Sequence, residues 1–169
     1  YRLPTEAEWE RAAAWDTSVP KHWIYGFMSD TNASSTANHC NDRNDGSTYG
    51  NPLGLTAMPY TSPVGWFNGV NVNPNGGVTT VNSQSPVGCF DMSGNVWEWC
   101  HDWYLDTYYT SGGPPWSNPT GPATGSARMV GGGARCEGFS RCRAADRGRI
   151  GPDLTYSVVG FRAVQSGSG

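Results

Sequence analysis

Apolar residues recur at helical spacing in only one stretch of this chain, near its start. After Pro4, Thr5 and Glu8 form a Thr-x-x-Glu capping box, and Trp9, Ala12 and Ala13 follow on one face. Glu6, Glu8 and Glu10 sit where the positive end of a helix dipole favours acids. The pattern predicts a helix over about 5–15 with Trp9 buried. From 16 to 82, Asn, Gly, Ser, Thr and Pro separate isolated aromatics, and no period of two or 3.6 persists. That segment reads as packed loops with short strands, held by Asn and Asp side chains or a bound cation. Asn71, Asn73 and Asn75, between two copies of Ser-Pro-Val-Gly at 62–65 and 85–88, mark an exposed excursion. Alternation returns at 96–99, Val-Trp-Glu-Trp after Ser-Gly-Asn, and predicts a short strand with Trp97 and Trp99 on one face and Glu98 on the other. Residues 160–165 read as a closing strand with Phe161 and Ala163 inward, and 166–169 as a flexible Gly/Ser tail. Between these, 111–126 is turn-rich, and the three glycines at 131–133 mark backbone conformations or close approaches that side chains forbid.

The composition agrees with so little periodicity. The chain has 169 residues, enough for one domain, taken as 1–165; 37% are apolar and only 15% charged, with 23 Gly and 12 Pro. Long amphipathic helices, a coiled coil and a helix bundle are thereby excluded. Eight Trp and eight Tyr supply enough buried area to order long polar loops. The net charge of −3 and the scatter of basic residues give no reason to expect a nucleic-acid partner. No apolar run approaches the roughly 18–20 residues that cross a bilayer, so no membrane insertion is expected. Cys40, Cys89, Cys100, Cys136 and Cys142 are odd in number and hold no Cys-x-x-Cys pair, which argues against a closed zinc site and a disulfide-stapled scaffold. Buried free thiols, or one bridge, remain.

Several motifs together resemble the formylglycine-generating-enzyme (sulfatase-modifying factor) family. They are Arg-Leu-Pro-Thr-Glu-Ala-Glu-Trp-Glu at 2–10, Phe-Asp-Met-Ser-Gly-Asn-Val-Trp-Glu-Trp-Cys at 90–100, Asp-Trp-Tyr at 102–104, Asn-Pro-Thr-Gly-Pro at 118–122, Cys-Arg-Ala-Ala-Asp-Arg at 142–147 and Gly-Phe-Arg at 160–162. The resemblance implies an α+β, C-type-lectin-like fold, loop-rich, with few helices and a small twisted antiparallel sheet. Members of the family usually carry a substantial segment before the opening motif, so an N-terminal portion is expected to be missing here.

The family's enzymatic branch is similar to a copper-dependent oxidase that turns a substrate cysteine into formylglycine with two cysteines separated by four residues. A soft thiolate pair is what copper(I) needs. Here the stretch reads Gly-Gly-Ala-Arg-Cys-Glu-Gly-Phe-Ser-Arg-Cys at 132–142, with five residues between Cys136 and Cys142 and Glu137 where the first thiol belongs. The match breaks at its chemical centre, so no catalytic residue is assigned; copper enters only with the alternative oxidase reading. The three histidines, far apart in sequence, read as surface or capping residues.

A second branch resembles the variable proteins of diversity-generating retroelements, in which a fixed framework presents changeable side chains. Arg143, Ala145, Arg147, Pro152, Asp153 and the Gly-Phe-Arg at 160–162 fit that framework. The resemblance implies a non-catalytic binding surface for a protein or other surface ligand, formed by Ala134, Arg135, Cys136, Glu137, Phe139, Ser140, Asp146, Ile150, Leu154, Tyr156, Ser157 and Val158, and a bacterial or phage surface as its place. A passive accessory module of a larger protein is the plainer alternative. Arg143, Arg147 and Arg162 are expected to pair internally with Asp146, Asp153 or loop carbonyls. The resemblance also implies a structural calcium at the tryptophan-rich strand, held by the carboxylates of Asp91 and Glu98 and the carbonyls of Gly94 and Val96, hard oxygens around a Gly-Asn turn. A further family site at Asn38 and His39 lacks a recognisable acidic partner.

Overall fold

The computed structural model describes residues 1–31, 39–42, 53–58, 60–74, 77–111 and 116–165. Helix α1, Glu6–Ala14, starts where the capping box places it: the Thr5 side chain accepts from Glu8 N–H and the Glu8 carboxylate accepts from Thr5 N–H. Arg2 grips the same carboxylate at 2.6 and 2.7 Å and holds Glu8 well below the usual carboxylate range, at about 2. Two-residue strands follow, β1 at Trp15–Asp16 with β2 at Lys21–His22, and β3 at Val72–Asn73 with β4 at Val78–Thr79. Side chains do the rest of the holding in this region. Asn95, for example, takes Ser62 N–H and Asn41 Nδ2–H on its Oδ1 and donates to the Ser62 carbonyl. The expected excursion is a short hairpin, exposed at Val72, Pro74 and Val78, in which Asn73 alone of the described residues is buried, as the acceptor of Trp66 Nε1–H at 2.7 Å; Asn75 lies outside the described residues.

The main sheet has four strands in the order β7 (Gly148–Ile150), β6 (Arg128–Gly131), β5 (Trp97–Trp103), β8 (Val159–Gly160). Only β5 and β8 run parallel. Strand β5 begins one residue after the alternation predicts and runs on through Cys100, His101 and Asp102, residues without strand propensity that the neighbouring β6 recruits. Trp97 and Trp99 do share a face, with Glu98 on the other. It is the polar-looking face, Glu98, Cys100 and Asp102, that lies under α1: Trp9 Nε1–H donates to Glu98 Oε2 at 2.6 Å and Glu6 N–H to Asp102 Oδ2 at 2.8 Å. Trp9, 1% exposed, forms the inner core with Ala13, Ala14, Met92, Cys100, Met129 and Ala144. A Cβ on Gly131 or Gly132 would stand 3.1 Å from its ring, which is why this part of β6 carries no side chains.

Helix α2, Tyr108–Ser111, and a 3₁₀ turn at Phe139–Cys142 complete the elements. The closing strand is shorter than expected and its facing is reversed. Phe161 is 70% exposed and Ala163 is exposed, while Arg162 and Val164 turn inward, because Arg162 has a buried carboxylate to reach. The tail at 166–169 lies outside the described residues.

Candidate functional site

Strand β5 divides the expected sites between its two faces. On the α1 side, Glu98 receives Arg162 through Nε at 2.5 Å and Nη2 at 2.7 Å, and the same Nη2 reaches the Phe90 and Asp91 carbonyls. Asp91 accepts Gly65 N–H at 2.7 Å through Oδ2. Its carboxyl is pushed upward, first by burial, and the Glu98 charge adds to the shift against the opposing pull of Gly65 and Arg162. Asp91 and Glu98 are therefore close enough to repel one another, in a turn where Asp91 and Asn95 both take positive φ. Among the described residues, Glu98 Oε1 accepts from Arg162 and Asp91 Oδ2 from Gly65 N–H, so both carboxylates expected to hold calcium are engaged by protein donors, and no group of three or more acidic, histidine or cysteine side chains gathers as a metal site.

The expected internal pairing of the arginines holds, with Asp146 for Arg143 and with acids other than those expected for Arg147 and Arg162. Arg143 donates to the Ser140 carbonyl and sits 3.6 Å from Asp146. Arg147 instead clamps Glu6 at 2.5 and 3.0 Å and reaches the Leu105 and Asp106 carbonyls, and Arg162 takes Glu98. Glu6 and Glu98 come from motifs remote in sequence, which spacing arguments cannot join. Asp153 is exposed and enters none of these pairs.

On the other face, the twelve expected recognition residues separate. Ala134, Arg135 and Phe139 are buried and present nothing to solvent. Ala134 belongs to the floor with Trp97 and Val130, and Phe139 packs on Tyr25 with ring centroids 4.0 Å apart. The Arg135 guanidinium lies under Met58 and Tyr60. Their burial corrects the assumption that the whole loop after the glycines faces outward. Cys136, Ile150 and Val158 are half-buried and pack together on the Trp97–Val130–Ala134 floor. Arg141 lies over the Trp97 ring at 5.5 Å. Glu137 and Asp146 are half-buried, Ser140 and Ser157 exposed, and Leu154 and Tyr156 are 48% and 49% exposed. Beside Trp99 lies a hollow of about 310 Å³ lined also by Leu3, Arg128 and Pro152.

Copper(I) needs two converging thiolates. Cys142 is fully buried on the side of Cys40, whereas Cys136 packs in the Trp97 cluster. This arrangement does not fit a copper pair open to a substrate. Sequence reasoning missed a groove of about 890 Å³ on the outer side of α1, where Glu10, His22, His101, Tyr109 and Trp116 meet. Its one available signal was the aromatic group of Tyr108, Tyr109 and Trp116, which stack on each other.

A family model described as the sulfatase-modifying factor enzyme 1-like domain matches residues 1–166. The formylglycine-generating enzyme of Streptomyces coelicolor is 34% identical over 95% of this chain and 45% of its own length, and that of Mus musculus 32% identical over 95% and 38%. The chain thus spans less than half the length of these relatives. Among solved structures, Treponema denticola variable protein 1 superposes with a TM-score of 0.58 at 28% identity, covering 95% of this chain and 45% of that one. PvdO from Pseudomonas aeruginosa gives 0.60 at 22% identity, over 95% and 50%, a likeness of fold.

Proposed function

The chain belongs to the sulfatase-modifying factor (formylglycine-generating enzyme) family, and from that premise we propose that it binds a protein or other surface ligand rather than oxidising cysteine. The observation that supports this reading is that Cys136, Ile150 and Val158, from separate turns of the segment, pack on one floor of Trp97, Val130 and Ala134 while staying partly in solvent. Leu154, Tyr156 and Ser157 stand exposed in the same segment as the apolar and polar contacts of such a patch. The likeness to a variable protein supports a diversity-generating-retroelement origin, in which case the neighbouring DNA carries a near-copy of codons 134–158 beside a reverse transcriptase. Leu154→Ala and Tyr156→Ala are expected to weaken partner binding about tenfold or more while shifting the thermal midpoint by no more than about 2 °C, because both side chains are half in water. Loss of stability in step with binding would make them core residues and sink the reading.

Identity of about a third to the enzymes supports a second reading, the copper-dependent oxidase. Copper(I)-loaded, folded protein incubated with a Cys-x-Pro-x-Arg peptide under oxygen tests it. Aldehyde in the peptide would establish the oxidase, and an unchanged peptide is the expected result.

A structural calcium at Asp91, Glu98 and the Gly94 and Val96 carbonyls belongs to the same proposal. Bound there, the cation would offset the repulsion between the two carboxylates. Chelation is then expected to lower the thermal midpoint by several degrees, and Glu98→Gln to abolish that sensitivity. A midpoint indifferent to the chelator in the unmodified protein would remove calcium from the reading.

A further inference from the structure

The Ser93–Gly94 turn that precedes β5 is gripped from both sides by cysteine-bearing segments. On one side Ser93 Oγ–H donates to the Cys142 carbonyl at 2.8 Å while Gly26 N–H donates to the same Oγ. On the other, the Cys40 Cβ lies so near that a Cβ on Gly94 would stand 3.4 Å from it, and Asn41, the next residue, accepts Asn95 N–H at 2.7 Å. Behind this turn the two side chains are near enough for Cys142 to be the foremost influence on the Cys40 thiol. Cys142 is fully buried, and Cys40, 2% exposed, is covered by a lid of Tyr25, Phe27 and Phe139. Phe139 and Cys142 are the two ends of one 3₁₀ turn, so the lid and one of the thiols move together.

We propose that Cys40 and Cys142 are a specific cross-linking pair, closing to a disulfide that ties the 3₁₀ turn within the recognition segment to the loop at 39–42. A small-molecule disulfide such as oxidised glutathione is the oxidant. One thiol loses its proton and attacks that disulfide, releasing one glutathione thiolate. The second then displaces the other glutathione from the mixed disulfide. The protein gives up two protons and two electrons and gains one S–S bond, and the oxidant becomes two thiols. The neighbouring Cys142 thiol and burial push the Cys40 pKa well above its usual value, so the pair reacts when the aromatic lid opens or while the chain folds. The remaining cysteines do not compete for either partner: Cys100 is buried under α1, Cys89 packs at the edge of the same core, and Cys136 packs in the Trp97 cluster.

The test uses the whole chain, refolded in a glutathione redox buffer or left reduced, with remaining thiols alkylated and the protein digested without reduction. The expected product is one peptide pair joining Cys40 to Cys142, with Cys89, Cys100 and Cys136 alkylated. The oxidised protein should melt about 10 °C higher than the reduced one, the shift expected for closing so long a loop. Cys142→Ala should abolish that gain and yield no substitute bridge. Peptide mapping of the unaltered chain needs no variant to fold. Five alkylated cysteines after oxidative refolding, or a bridge between any other two, would overturn the assignment.

Discussion

Arg162→Ala is expected to lower the free energy of unfolding by about 3–5 kcal/mol, read as a shift in the urea midpoint with chelator present so that no cation stands in for the lost guanidinium. The size follows from what remains behind. Glu98 is 7% exposed, and without Arg162 its carboxylate keeps, among the described residues, only the Trp9 indole N–H as a side-chain donor. A buried carboxylate in that position must either persist at high cost or take up a proton. The same substitution also releases the carbonyls of Phe90 and Asp91 and so unties the C-terminal segment from the turn before β5. Glu98→Gln combined with Arg162→Met removes both charges together and should recover a large part of the loss, since the penalty lies in the orphaned partner more than in the pair itself. If Arg162→Ala cost no more than a surface ion pair, about 1 kcal/mol or less, this pairing would have no structural weight.

That lock shows where sequence reading reaches its limit. The capping box, the burial of Trp9 and the opposite facing of Trp97 and Glu98 follow from local spacing, and the structure has all three. Which face of β5 would be covered was not legible, because Glu98, Cys100 and Asp102 look like a solvent face. They become a buried one only through donors supplied by α1 and by Arg162, up to 96 positions away. The inversion of 160–165 has the same origin: alternation was read rightly, and a long-range partner for Arg162 chose the opposite phase. In the candidate recognition segment, residues 134–139 read as a polar, turn-rich loop. Their burial follows from the path of the chain after the glycines, which carries Ala134 onto Trp97 and Phe139 onto Tyr25. Half-exposed Cys136, Ile150 and Val158 were named from the family pattern, and only the fold shows that they share a floor.

Gly133 is the point on which that path turns, and Gly133→Ala is expected to cost about 2–5 kcal/mol. Its φ is +71°, where an L side chain adds about 1–2 kcal/mol of strain. A Cβ there would stand 2.6 Å from the Arg141 carbonyl oxygen and 2.9 Å from its carbon. Both atoms are backbone, so relief requires the 3₁₀ turn Phe139–Cys142 to move as a unit, at a further overpacking cost of about 1–3 kcal/mol. That displacement acts in three places at once. Phe139 leaves its contact with Tyr25, Cys142 leaves Cys40, and Arg141 leaves the face of Trp97. The variant should therefore show a lower urea midpoint together with an altered tryptophan emission and faster alkylation of Cys40 and Cys142 in the reduced protein. Gly138→Ala supplies the contrast in the same loop, because a Cβ at Gly138 meets nothing within 4 Å, and it should leave all three readouts near those of the unmodified chain. Equal behaviour of the two variants would mean that the loop adapts freely and that the close approach at Gly133 does not position the recognition segment.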